Sequence, residues 1–219
     1  MQTIDLSNEK LRNAIIFFAR NTGSNLGLTK LMKLLYFLDF RHYRETGFSV
    51  TGQPYRTWGF GPVPVGVWDE LRNRRDRGLA LGSAVAAIPG RGDCGFLIRA
   101  VGQAKFDEDV FTRREMRILT EVAEMFRDVP AKQMVDATHA RNEPWEKALR
   151  EKGEDVPIDY ELIFDGSEPP ETMNLIRERQ KEYRESCSII EAISTGGWSS
   201  SIPSTNSRMA QQPTNCLSF

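Results

Sequence analysis

The chain has 219 residues, 40% of them hydrophobic, a mean hydropathy of −0.44 and a net charge of −1. That length suits one main domain plus a tail, and no apolar run approaches the ~18 residues that would suggest a membrane span. Cys94, Cys187 and Cys216 are odd in number, widely spaced and without a C-x-x-C pair, which argues against a disulfide scaffold and a zinc site.

The first residues carry neither a basic leader nor an apolar signal segment, so the expected location is the cytoplasm. Charge is unevenly spread: residues 1–106 hold 15 Lys/Arg and 8 Asp/Glu, and residues 107–219 hold 14 and 22. Such asymmetry suits a charged partner or self-association, and equally two solvated faces.

Taken in order, Asp5, Ser7 and Asn8 are N-cap candidates for a helix over Lys10–Arg20 with Leu11, Ile15 and Phe18 inward. A turn over residues 21–25 follows. A second helix over Lys30–Glu45, capped by Thr29 or a neighbour and ended by Gly47, places Leu31, Leu34, Leu35, Leu38 and His42 on one face. Its outer face is expected to carry Lys30, Lys33, Arg41 and Arg44. Tyr36 and Asp39 lie among them, with Asp39 beside a cation.

Next comes an extended segment dense in aromatics and glycine. Period two sets Arg56, Trp58 and Phe60 against Tyr55, Thr57 and Gly59. Gly59 and Gly61 allow positive φ or close backbone approach around Phe60. Pro62 and Pro64 are expected in the first turn of a helix to Arg77, since a missing N–H costs nothing there. In it Val67, Trp68 and Leu71 form the apolar stripe, which puts Trp68 in the core and Trp58 nearer the surface. One reading buries both tryptophans in a helix–strand–helix unit. The other leaves Arg56, Trp58 and Phe60 as a partner-binding ridge, with Lys30 and Lys33 as flanking charges.

Residues 84–88 and 95–101 read as a hairpin. Thr112 with Glu115 is a capping box, and the helix after it presents Met116, Leu119, Val122, Ala123 and Phe126. Pro130 breaks it. Short helices over Ala131–Thr138 and Pro144–Arg150 follow, the second closed by Gly153, and then an edge segment over residues 156–164. After Asp165 the character changes: residues 166–193 read as a charged helical extension, and residues 194–219 are polar and glycine-rich enough to predict disorder.

Two blocks carry a resemblance. Lys30 to Phe40 (K-L-M-K-L-L-Y-F-L-D-F) leads into T-G-x-x-Y-x-x-W-x-x-G-P-V-P, from Thr51 and Gly52 through Tyr55, Trp58 and Gly61 to Pro64, and then Val67 to Leu71 (V-W-D-E-L). Thr138-His139 and Pro144-Trp145-Glu146 form the second. Together they resemble the Panacea domain of SocA-like antitoxins, bacterial and phage proteins often encoded beside a toxin that they neutralise. The resemblance implies a domain over residues 1–165 whose partner is a toxin protein, and it names no toxin.

The residues themselves supply little chemistry. His42 and His139 are the only histidines, and no H-E-x-x-H, G-x-S-x-G or Walker loop is present. His42 reads as a hydrogen-bonded core residue, and His139 as a helix cap packed on Trp145. No catalytic, cofactor or metal residue is assigned.

The expected fold is α+β and predominantly helical, about six helices with a small antiparallel element and a disordered C-terminal tail. The expected function is neutralisation of a toxin by direct binding. The alternatives are a DNA-binding regulator using the basic N-terminal half, with Arg72, Arg74, Arg75 and Arg77 joining Lys30 and Lys33, and a small mobile-element enzyme. Ending the chain after residue 194 should leave the thermal midpoint nearly unchanged; a drop beyond about 4 °C, roughly 1 kcal/mol for this size, would show that the tail docks.

Overall fold

The computed structural model describes residues 6–23, 26–73, 85–89, 95–101 and 104–194. Asp5, Arg74, Arg75, Arg77, Cys94, residues 90–93 and the residues from 195 onward lie outside these. In chain order the elements are α1 (Leu6–Asn21), α2 (Leu28–Thr46), β1 (Tyr55–Trp58), β2 (Gly61–Pro64), α3 (Val65–Asn73), β3 (Val85–Pro89), β4 (Phe96–Ala100), α4 (Arg113–Met125), α5 (Ala131–Thr138), α6 (Pro144–Lys152), β5 (Pro157–Ile158), a 3-10 turn (Tyr160–Ile163) and α7 (Pro170–Ser194). The fold is α+β and predominantly helical. Two compact units divide at Glu168/Pro169. The second contains α7, which reaches Ser194 and is laced by a Lys181–Glu185 pair one turn apart.

Within the first unit α2 is the central helix. It meets α1, α4, α5, β2, β4 and the 3-10 turn, so nearly its whole circumference is covered. Leu31, Leu34, Leu35 and Leu38 are buried as their spacing predicts. Lys30 and Lys33, expected on an outer face, are buried as well. The reason is tertiary: along most of its length the helix is covered, and polar residues there must find partners inside, while Arg44 and Glu45 near its C-terminus stay exposed and Arg41 is half-buried. Lys30 Nζ donates to the Arg127 carbonyl at 2.9 Å.

The N-terminus of α2 is also set by tertiary contact. Gly27 occupies the N-cap position without a side-chain cap and bridges to Leu97 of β4, so Thr29 lies inside the helix. Gly47 ends α2 in the left-handed region, as expected. The Thr112/Glu115 capping box forms in full, and Glu115 also takes a buried ion pair from Lys10 at 2.7 Å. His42 is a core residue: its Nδ1 bonds the Phe48 carbonyl at 2.7 Å, and burial lowers its pKa.

The sheet order is β2-β1-β5, all antiparallel, and β3 pairs with β4 as a separate hairpin. Pro62 and Pro64 belong to β2, not to a helical turn; α3 begins only at Val65. β2 is an edge strand, where proline is tolerated. Two prolines two residues apart lose N–H groups on one side only, leaving Gly61 and Val63 to pair. Of the expected edge segment, only Pro157 and Ile158 form strand.

Asp39 fixes this sheet to α2. Its carboxylate is fully buried and accepts from Val50 N (2.9 Å), Thr51 N (2.7 Å), Thr51 Oγ1 (2.5 Å) and Tyr55 Oη (2.8 Å). The partner is therefore a loop and a strand, not the cation expected from sequence. Burial raises the Asp39 carboxyl above its ordinary 3.8, while each of the four hydrogen bonds pulls it down. With the folded value above the unfolded one, the associated stability is full below 3.8 and is lost as pH rises through the folded value. Asp39→Asn should remove that slope. Asp39→Ala should cost about 3 kcal/mol or more, since it strands buried donors on Thr51 and Tyr55. Urea denaturation measures both; a loss under about 1 kcal/mol would show that the loop holds itself.

Candidate functional site

The sequence directs attention to the β1–β2 hairpin, whose two-residue turn is Gly59-Phe60. Along β1 the alternation holds: Tyr55 and Thr57 are buried, Arg56 and Trp58 half-buried. Phe60 at the tip is 78% exposed, the highest value among the large hydrophobic side chains of the described residues. An aromatic that protrudes this far gains little from folding.

The tip is held rigidly from below. Trp145 Nε1 donates to the Trp58 carbonyl at 3.2 Å, and Lys33 Nζ donates to the Pro62 carbonyl at 2.9 Å. The two anchored carbonyls bracket residues 59–61. Gly61 has a φ of +95°, and a Cβ there would meet Thr138 Oγ1 at 2.7 Å and Lys33 Nζ at 2.8 Å. Glycine is therefore required twice over, by backbone sign and by space.

A clamp from the side completes the frame. Arg56 Nε pairs with Asp155 Oδ1 at 2.7 Å, and its Nη2 donates to the Asp155 carbonyl. Trp58 Nε1 donates to the same Oδ1 at 3.1 Å. The Arg56 bond is the first cause, and the Trp58 bond the second, of an Asp155 carboxyl held below its ordinary range. Thr57 Oγ1 donates to the Gly153 carbonyl at 2.9 Å. Arg56 and Trp58 are thus partnered inside the chain.

Trp58 and Trp68 meet edge to face, with centroids 5.6 Å apart and planes at 77°, and the Arg72 guanidinium lies 5.7 Å from the Trp68 ring centre. Both tryptophans are half-buried, so the expected contrast of a core Trp68 and a surface Trp58 is corrected: they form one contact pair. Among the described residues the buried tryptophan is Trp145, whose ring stacks on His139 at 3.8 Å with planes 6° apart. His139 packs as the sequence suggested, but it caps α5 through its backbone N–H, and its Nε2 is buried without a hydrogen-bond partner.

Of the five candidate contact residues, three gather at the hairpin: Arg56, Trp58 and Phe60. Lys30 and Lys33 do not flank it as surface charges, because both are inside. Their burial also removes two members of the basic face that nucleic-acid binding needed. The structural residues converge as a set: Tyr36, Asp39 and Tyr55 inside, Gly61, Pro62 and Pro64 along β2, Leu71 buried on α3. Gly52 has a φ of +65° and sits over Ser7. Sequence reasoning missed Asp155, since no local signal says that residues 153–156 meet a strand nearly a hundred positions earlier.

The assembly is a rigid scaffold that presents one exposed aromatic turn. A family model described as Antitoxin SocA-like, Panacea domain, matches residues 31–146, more than half of the chain. The chain belongs to this family. No curated protein and no solved structure matches it. Among the described residues no helix is long and apolar enough to cross a membrane.

Trp145→Ala should cost about 3–5 kcal/mol as a large-to-small core change. Trp58→Ala and Trp68→Ala should each cost less, and a double-mutant cycle should return a coupling of about 0.5–1.5 kcal/mol. Additive losses in denaturant melts would mean that the edge-to-face contact carries no energy.

Proposed function

We propose that this chain is an antitoxin that neutralises a cognate toxin in the cytoplasm by direct binding, and that the Gly59-Phe60 turn is the centre of the contact. The observation that carries the reading is an exposed phenylalanine on a turn locked at both ends by buried donors. An exposed large apolar group on a fixed backbone loses little conformational entropy when a partner covers it. Trp58, Trp68 and Arg72 supply the aromatic and guanidinium surround that typifies binding hot spots. Arg56 serves the surface by holding it, through Asp155. The family match supports an antitoxin role in kind and leaves the toxin unnamed.

The test is co-expression with the product of the adjacent reading frame, scored for rescue of growth and for affinity of the purified pair. Phe60→Ala should weaken binding by about tenfold or more, the scale of a hot-spot aromatic. Its circular dichroism melt should stay near wild type, because the side chain is exposed. Undiminished affinity in a folded Phe60→Ala variant would move the site off the hairpin.

A further inference from the structure

Lys33 is wholly enclosed, with 0% of its surface exposed. Among the described residues its one hydrogen-bond acceptor is the Pro62 carbonyl. Its Nζ and Cε fill the space that a Cβ on Gly61 would occupy, so the amine lies directly against the backbone of the turn. An ammonium carries three N–H donors and no acceptor; here two of the three would be buried without a partner.

Among the described residues the surroundings offer no compensating charge. His139 approaches from the end of α5, and its pKa is lowered by burial first and then by Lys33 itself, with Asp136 opposing. Thr138, whose Oγ1 also lies against Gly61, donates its hydroxyl proton to the Val135 carbonyl and carries no charge. Tyr36, one turn along α2, is raised by burial and then by Glu143. Glu143 precedes α6 and is itself raised by burial. β2 contributes only its carbonyl.

We propose that Lys33 is a positioning residue for the recognition turn and acts in its uncharged form, so that proton uptake by the amine loosens the turn and weakens toxin binding. This rests on the reading of Phe60 as the toxin contact. The chemical reason is a buried charge without compensation: the neutral amine places one N–H on Pro62 and leaves one unpaired, whereas the charged form leaves two unpaired and carries a positive charge with no counter-ion, which favours withdrawal from Pro62. Burial pushes the Lys33 amine down to about 7 from its ordinary 10.5, which puts the change near neutral pH. The unfolded chain then binds more protons between about 7 and 10.5, so stability rises with pH across that window and levels off above it. Lys30 is also lowered by burial, against Asp128, and is the necessary control.

The first measurement needs no toxin. Backbone amide shifts of Gly59, Phe60 and Gly61 in the full chain are followed from about pH 6 to 9. A shared transition near 7 is expected, retained in Lys30→Met and abolished in Lys33→Met. Flat shifts in the wild-type chain overturn the proposal whether or not any variant folds, and so does a transition that survives in a folded Lys33→Met.

The second measurement is affinity for the product of the adjacent reading frame. It should fall about tenfold from pH 8 to 6 in the wild type, in proportion to the binding-competent fraction, and stay level in Lys33→Met. A pH-independent affinity overturns the link to binding. If Phe60→Ala leaves affinity unchanged while the amides still titrate, the assignment of the contact fails and the proton-linked turn stands.

Discussion

The carboxylate of Asp39 is the interaction on which the arrangement of α2 and the sheet depends. Burying an ion is costly, and four hydrogen bonds from two consecutive backbone amides, a threonine and a tyrosine make it tolerable. Those donors come from the loop after α2 and from β1, so the satisfied carboxylate fixes where the chain turns back and where β1 begins. Tyr55 carries the constraint onward, edge-on to Tyr36, Phe40 and Tyr160. Tyr160 donates to the Gln53 carbonyl at 2.7 Å, which ties the 3-10 turn to the same loop. An apolar residue at this position could fill the space but could not specify which loop atoms meet the helix.

Seen along α2, the polar side chains form a ladder under the sheet. Lys33 reaches β2, Tyr36 meets Tyr55, Asp39 holds the loop and β1, and Tyr43 stacks on Tyr160. Their spacing of three or four residues is that of one helical face. Leucines at the same period on the other side read correctly as core. The polar face read as solvent because, on an isolated helix, charge at helical period normally faces water. Nothing local distinguishes a solvated lysine from one that a strand will cover thirty residues later.

Other features were legible for the opposite reason. The capping box at Thr112, the helix over Ala131–Thr138, the stop at Gly47 and the β3–β4 hairpin are set by interactions within a few residues or by strong alternation. The prolines at 62 and 64 misled because a helix start and an edge strand both accommodate a missing N–H. Only the pairing partner decides between them. The alternation of Arg56, Trp58 and Phe60 against Tyr55 and Thr57 was readable from period two alone. That Asp155 would occupy the first two was not.

The matched span, residues 31–146, contains α2 with its polar ladder, the β1–β2 hairpin and Trp145. These are the parts that fix the backbone of the turn: Asp39 sets β1, Lys33 and Trp145 hold the carbonyls on either side of Phe60. Asp155, which orients the side chains of Arg56 and Trp58, lies beyond that span. So do α1 and β5. Residues beyond the span also hold the backbone of β1: the Thr57 N–H donates to the Val156 carbonyl at 3.0 Å, the Asp155 N–H donates to the Thr57 carbonyl at 2.7 Å, and Ile158 pairs opposite Tyr55. Phe60 is left exposed on a hairpin whose backbone is held from both stretches of the chain, because the groups that fix it pack beneath and beside the strands and not over the tip.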